Sequence, residues 1–170
     1  MAEPVYCHQS AVFSQDLVYR YTLARIWNPR LSAVNFVLCN PSTADADRLD
    51  PTLRRCVGFA RAWGCGGIII TNIFALRSTD PVGLRRVDDP IGADNDAQLL
   101  RAADMFSAVR GRIVCGWGVH GAYLGRGEQV RRLLRDRALW CLGTTRGGHP
   151  RHPLYLRADT RLQCYQEGMP

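Results

Sequence analysis

Apolar residues along this chain fall into short runs separated by polar, proline- and glycine-rich turns, and the period of each run predicts an element. Residues 17–27, Leu-Val-Tyr-Arg-Tyr-Thr-Leu-Ala-Arg-Ile-Trp, are rich in aromatic and β-branched side chains and end at Asn28-Pro29-Arg30. They predict a strand that hairpins into a second apolar run, Ala33–Leu38. That run stops abruptly at Asn40-Pro-Ser-Thr-Ala-Asp45. Asp50 followed by Pro51 reads as an N-cap with proline at the first helical position. Leu53, Cys56, Val57, Ala60 and Trp63 then keep helical spacing as far as Gly64. Residues 66–70 include three consecutive isoleucines, the composition of a strand buried on both faces, and lead into Thr71-Asn72. Residues 77–90 have no period and are expected to form a surface loop able to reach a ligand. A helix follows over 93–109, with Leu99, Leu100, Ala103 and Phe106 inward. The remaining predicted elements are a buried strand over 112–117, a basic helix over 129–137 and a strand over 138–142.

Strands alternating with helices at this spacing predict an α/β domain with a parallel or mixed sheet covered on both faces. Its connections are expected to be right-handed, so that strand ends meet on one edge, where such sheets bind ligands. Three of those ends carry polar groups: Asn40-Pro41-Ser42, Thr71-Asn72, and a glycine-rich loop over 143–154. One domain spanning 1–170 accommodates everything, with an N-terminal extension over 1–16, a core over 17–160 and a tail over 161–170.

Composition narrows the chemistry. All 22 basic residues are arginine and the net charge is +7. No lysine is therefore present to serve as a P-loop ligand, Schiff base or general base. Arginine suits a nucleic acid or nucleotide partner, although a GC-rich genome also replaces lysine codons. The seven cysteines form no C-x-x-C pair, so they read as reduced thiols rather than metal ligands. No metal and no cofactor is expected. The N-terminus lacks a basic segment followed by an apolar run, and no membrane-length apolar stretch occurs, so a cytoplasmic protein without membrane contacts is expected. A monomer is expected.

The late loop reads Gly143-Thr-Thr-Arg-Gly-Gly-His-Pro-Arg-His-Pro-Leu154, with two His-Pro pairs three residues apart. Proline fixes the backbone there while histidine presents a titratable donor. Together with Leu38-Cys-Asn-Pro-Ser42, Ile70-Thr-Asn-Ile73 and Ile113-Val-Cys-Gly-Trp-Gly118, this loop resembles the motif set of the uracil-DNA glycosylase superfamily. Over roughly residues 19–160 the chain, including Asp50-Pro-Thr-Leu-Arg-Arg-Cys56, resembles still more closely a family of bacterial and phage proteins of unknown function.

The superfamily resemblance implies a three-layer α/β/α fold with a central, mostly parallel sheet, preceded by an N-terminal β-hairpin. It implies an enzyme acting on DNA or a nucleotide, cleaving the N-glycosidic bond of a uracil-like or modified pyrimidine. Asn40 would hold the attacking water, His149 or His152 would donate to the base as it gains negative charge, and Asn72 would read the base edge. The insertion of Arg151 between the His-Pro pairs leaves both histidines as equivalents. Pro41, Ser42 and Thr43 would line the pocket; Phe74, Trp117 or Trp27 would stack on the base in place of the aromatic that does not follow Pro41, against the alternative, favoured by their place at strand ends, that these rings are core. From the residues themselves, Asp45 reads either as turn chemistry or as a general base or weak magnesium ligand beside Arg54 and Arg55. Arg151 suits a phosphate contact. Two other outcomes are compatible with these residues: a transferase acting on a hypermodified DNA base, and a non-catalytic module that senses a base.

Overall fold

The computed structural model describes residues 3–43, 50–108 and 111–165, without the side chains of 106–108. Seven strands, β1 (His8–Phe13), β2 (Arg20–Ile26), β3 (Ala33–Leu38), β4 (Gly67–Asn72), β5 (Arg112–Cys115), β6 (Leu139–Cys141) and β7 (Gln163–Cys164), form one sheet in the order β1-β2-β4-β3-β5-β6-β7. The four central strands, β4, β3, β5 and β6, run parallel. The edges are antiparallel, through β1 with β2, β2 with β4, and β6 with β7. The sheet is thus mixed, and parallel only at its centre.

Helix α1 (Pro51–Ala62) covers one face, and α2 (Asn95–Ala108) and α3 (Arg126–Leu133) cover the other. The alternation of β3 shows how its sequence serves both layers. Val34, Phe36 and Leu38 join Leu53, Cys56, Phe59 and Ala60 of α1 in one core. Val37 and Cys39 point the other way, towards Leu99 and Ala103 of α2 and Val130 of α3. Burying one such side chain completely contributes about 1.5–3 kcal/mol, and a strand buried on both sides collects this at nearly every position. The start of α1 follows its sequence: Asp50 Oδ1 accepts from Leu53 N at 2.8 Å, with Pro51 in the first turn.

The predicted hairpin between the first two apolar runs does not form. β4 lies between β2 and β3, and the 27–32 link bridges over it. Trp27 N and Asn28 N both donate to Gly66 O, and Gly66 N donates to Ser32 O, so the link folds around the residue that enters β4. A Cβ at position 66 would lie 2.0 Å from Asn28 O. Only glycine permits that approach, and the isoleucine strand then pairs on both edges. The hairpin present is β1 with β2, so part of the 1–16 extension belongs to the sheet. The basic helix starts at Arg126 rather than Gln129, after left-handed Leu124 and Gly125. Within 77–90, residues Pro81–Arg86 form a 3₁₀ helix capped by Asp80. Helix α2 is described to Ala108; Val109 and the Phe106 side chain lie outside the described residues.

Candidate active site

The chain leaves β3 for β4 on one side and returns to β5 on the other, so the carboxyl ends of β3 and β5 frame a topological switch point. A cleft of about 380 Å³ opens there, within the range of small-molecule sites. Asn40, Pro41 and Ser42 enter it after β3, Asn72 at the end of β4, Trp117 and His120 after β5, and Thr145, Arg151 and His152 after β6. β2 runs antiparallel to β4, so its amino end reaches the same edge and adds Arg20.

Asn40 is half-buried and its amide orientation is determined by its partners. Nδ2 donates to Ser78 O at 2.7 Å and to Pro41 O at 3.2 Å. Both partners are carbonyls, which only accept, so the nitrogen must face them and Oδ1 is left as a free acceptor. Asn72 is 3% exposed, and its side-chain amide has no hydrogen-bond partner among the described residues. Its backbone, by contrast, is tightly held. Asn95 Nδ2 donates to Asn72 O at 3.1 Å and Ile73 O at 3.0 Å, and Arg126 Nε donates to Ile73 O at 2.8 Å. Arg126 also pairs with Asp96. The amino ends of α2 and α3 therefore clamp the end of β4.

His152 sits at the start of a 3₁₀ turn, Pro153–Tyr155, where its Nδ1 accepts from Leu154 N at 3.3 Å. Burial pushes its pKa down to about 4, against an upward pull from Asp50 and with a further downward push from His120. The ring is therefore neutral at pH 7. With Nδ1 engaged as an acceptor, the proton resides on Nε2, which becomes a hydrogen-bond donor. The loop is seated by Gly116, where a Cβ would meet Pro153 Cδ at 2.9 Å and Leu38 Cδ2 at 3.2 Å. His149 is placed differently. Its N–H donates to Thr145 Oγ1 and its carbonyl accepts from Thr145 N, closing a turn, and its side chain does not line the cleft.

Asp50, beyond capping α1, lines the cleft, and its Oδ2 accepts from Ser42 Oγ at 3.0 Å. Both of its oxygens are thus engaged. Trp117 is 1% exposed, contributes to the cleft wall and packs edge-on against Tyr165. Arg151 is exposed at the rim.

Other predicted contacts lie elsewhere. Phe74 is fully buried in the α2–α3 core and packs against Tyr123, so it is not a stacking platform. Trp27 donates from its indole to Cys65 O, away from the cleft. Arg54 and Arg55 project from α1 away from the site, Arg55 to Leu156 O and over Phe59. Thr43 bonds Thr79 Oγ1 at 2.6 Å in an adjoining hollow. Asp45 lies outside the described residues. Arg20 and Thr145 line the cleft without a signal in their own sequence context, and Asp50, read from sequence as the cap of α1, lines it as well. The only trace of Arg20 was a charge set between two tyrosines in an apolar strand. Among the described residues no cluster of three or more His, Cys, Asp or Glu has metal-binding geometry, and no helix is long and apolar enough to cross a membrane.

Fold and site together define a mixed α/β domain with a polar switch-point cleft. Residues 20–154 match the family described as "Protein of unknown function (DUF1643)", and the chain belongs to that family. No curated protein and no solved structure matches it significantly.

Proposed function

We propose that the cleft is the active site of a glycosylase-like enzyme, of uracil-DNA glycosylase type in its three-layer fold, that cleaves the N-glycosidic bond of a uracil-like or modified pyrimidine in DNA or a nucleotide. The observation that carries this reading is His152, a half-buried neutral imidazole whose free nitrogen is a donor. When the bond between C1′ and the base breaks, the electron pair leaves with the base and negative charge gathers on its carbonyl oxygens. A neutral Nε2–H stabilises that charge without surrendering its proton, a contribution of about 2.7–4 kcal/mol by analogy with an oxyanion donor. Asn40 Oδ1, fixed by the bonds of its own Nδ2 to two backbone carbonyls, accepts a hydrogen bond from the water that attacks C1′; as the C1′–O bond forms, the proton that water loses passes to solvent, from which the departing base anion takes one up. Asn72, offering one donor and one acceptor, reads the base edge.

A base-sensing module is the second reading. It is favoured by Asp50, whose oxygens accept from Leu53 N and Ser42 Oγ and so tie the carboxylate to capping α1 and positioning Ser42 rather than to an attacking water. Free base released from oligonucleotides containing uracil or hydroxymethyluracil, and quantified by chromatography, separates the two. Cleavage should fall about 10²–10³-fold in His152→Ala and be abolished in Asn40→Ala. Salt-sensitive binding with no release across a panel of modified pyrimidines would favour the sensing module.

A further inference from the structure

Arg20 is a charged side chain, only 5% exposed, that lines the cleft. No described residue forms a hydrogen bond or ion pair with its guanidinium. Buried charges are ordinarily paired, because desolvating an unpaired ion costs several kcal/mol. The nearby groups do not supply the pairing. Asp50 favours the charge from a distance, but its oxygens serve Leu53 N and Ser42 Oγ. Arg77 and Arg25 oppose it, each directed to a backbone carbonyl: Arg77 Nη1 to Leu17 O, and Arg25 Nη1 to Ala24 O. Burial lowers the Arg20 pKa only to about 10, so the group is a cation at neutral pH.

We infer that Arg20 is an oxyanion-binding residue and that the natural ligand of the cleft is anionic. A neutral base alone would leave the guanidinium uncompensated, whereas a planar fork of N–H donors matches phosphate or carboxylate. A buried arginine is also poorly placed to meet the solvent-exposed backbone of a duplex. The charge it recognises is therefore carried into the cleft by the ligand, as the phosphate of a free nucleotide or as a carboxylate on a modified base. This inference deepens the proposed function and rests on the same cleft being the ligand site.

Calorimetric titration of the full chain with deoxyuridine, deoxyuridine monophosphate and 5-carboxydeoxyuridine tests it. One of the two anions is expected to bind at least tenfold more tightly than deoxyuridine: the monophosphate if the charge is a phosphate, the carboxylated nucleoside if it belongs to the base. In Arg20→Met that preference should vanish, while ligand-free protein unfolds at the same or a higher temperature because a buried charge that no described residue pairs has been removed. Arg20→Lys, which keeps the charge without the fork, should bind the preferred anion several-fold more weakly. If neither anion binds more tightly than deoxyuridine, or if the preference survives in both variants, the inference is wrong. The titration compares affinities and is repeated in Asn40→Ala, in which cleavage is abolished, so failure of the cleavage chemistry and failure of this inference are separate results.

Discussion

Substituting His152 with asparagine tests the donor at the centre of the proposed chemistry through the protein's stability. Asparagine keeps an acceptor for Leu154 N and loses the titrating ring. In the folded protein the imidazole titrates at about 4 against an ordinary value of 6.5. The unfolded chain therefore binds the proton more strongly, and acid favours unfolding. The full contribution is present above pH 6.5, declines as pH falls towards 4, and is constant below that. Between pH 7.5 and 4.5 the complete shift corresponds to about 2.6 kcal/mol, and allowing for the ring's contact with cleft water leaves about 2 kcal/mol. Urea denaturation at pH 7.5, 5.5 and 4.5 should show the parent losing that much more stability than His152→Asn, with more than a third of it already gone at pH 5.5. Parallel pH profiles for the two proteins would mean that the ring is not held neutral by burial, and the donor argument would collapse with it.

Two further substitutions probe the surroundings of the cleft. Phe74→Ala should destabilise by about 3–5 kcal/mol in denaturant titration, because a fully buried ring leaves a cavity behind; at temperatures where the variant is folded, ligand affinity should be unchanged. Asn95→Ala should cost about 2 kcal/mol by the same measurement, since it withdraws a buried donor shared by Asn72 O and Ile73 O. It should also weaken ligand binding, as the end of β4 is no longer held.

What could be read from sequence was what local chemistry decides. Asp50 before Pro51 marks the start of α1 because a cap and a first-turn proline act within four residues. The isoleucine run declares β4 because a strand buried on both faces needs no polar alternation. Pairing is another matter. Asn28-Pro29-Arg30 looks like a hairpin turn, yet β4, which arrives some forty residues later, takes the place beside β2. The polar ends of β3, β4 and β6 were legible because each follows an apolar run directly. Arg20 was not, since its arrival at the cleft depends on β2 running antiparallel to its neighbour. Phe74, one residue beyond a polar strand end, is open by position to either a ligand or the core. Its side chain turns instead into the packing beneath α2 and α3. The distinction between His149 and His152 likewise rests on the turn closed by Thr145, a tertiary detail with no composition of its own.

The seating of Pro153 over Gly116 fixes how far the late loop stands from the end of β5. The wall bearing Asn40 is anchored in β3 and the wall bearing His152 rests on the end of β5, so a single hydrogen at position 116 acts as the spacer between them. A methyl there would lift the late loop, and with it the His152 ring that faces the ligand. Such a change would alter the accepted ligand size and the position of the donor together, so at position 116 the selectivity of this cleft and its reaction are coupled through one contact.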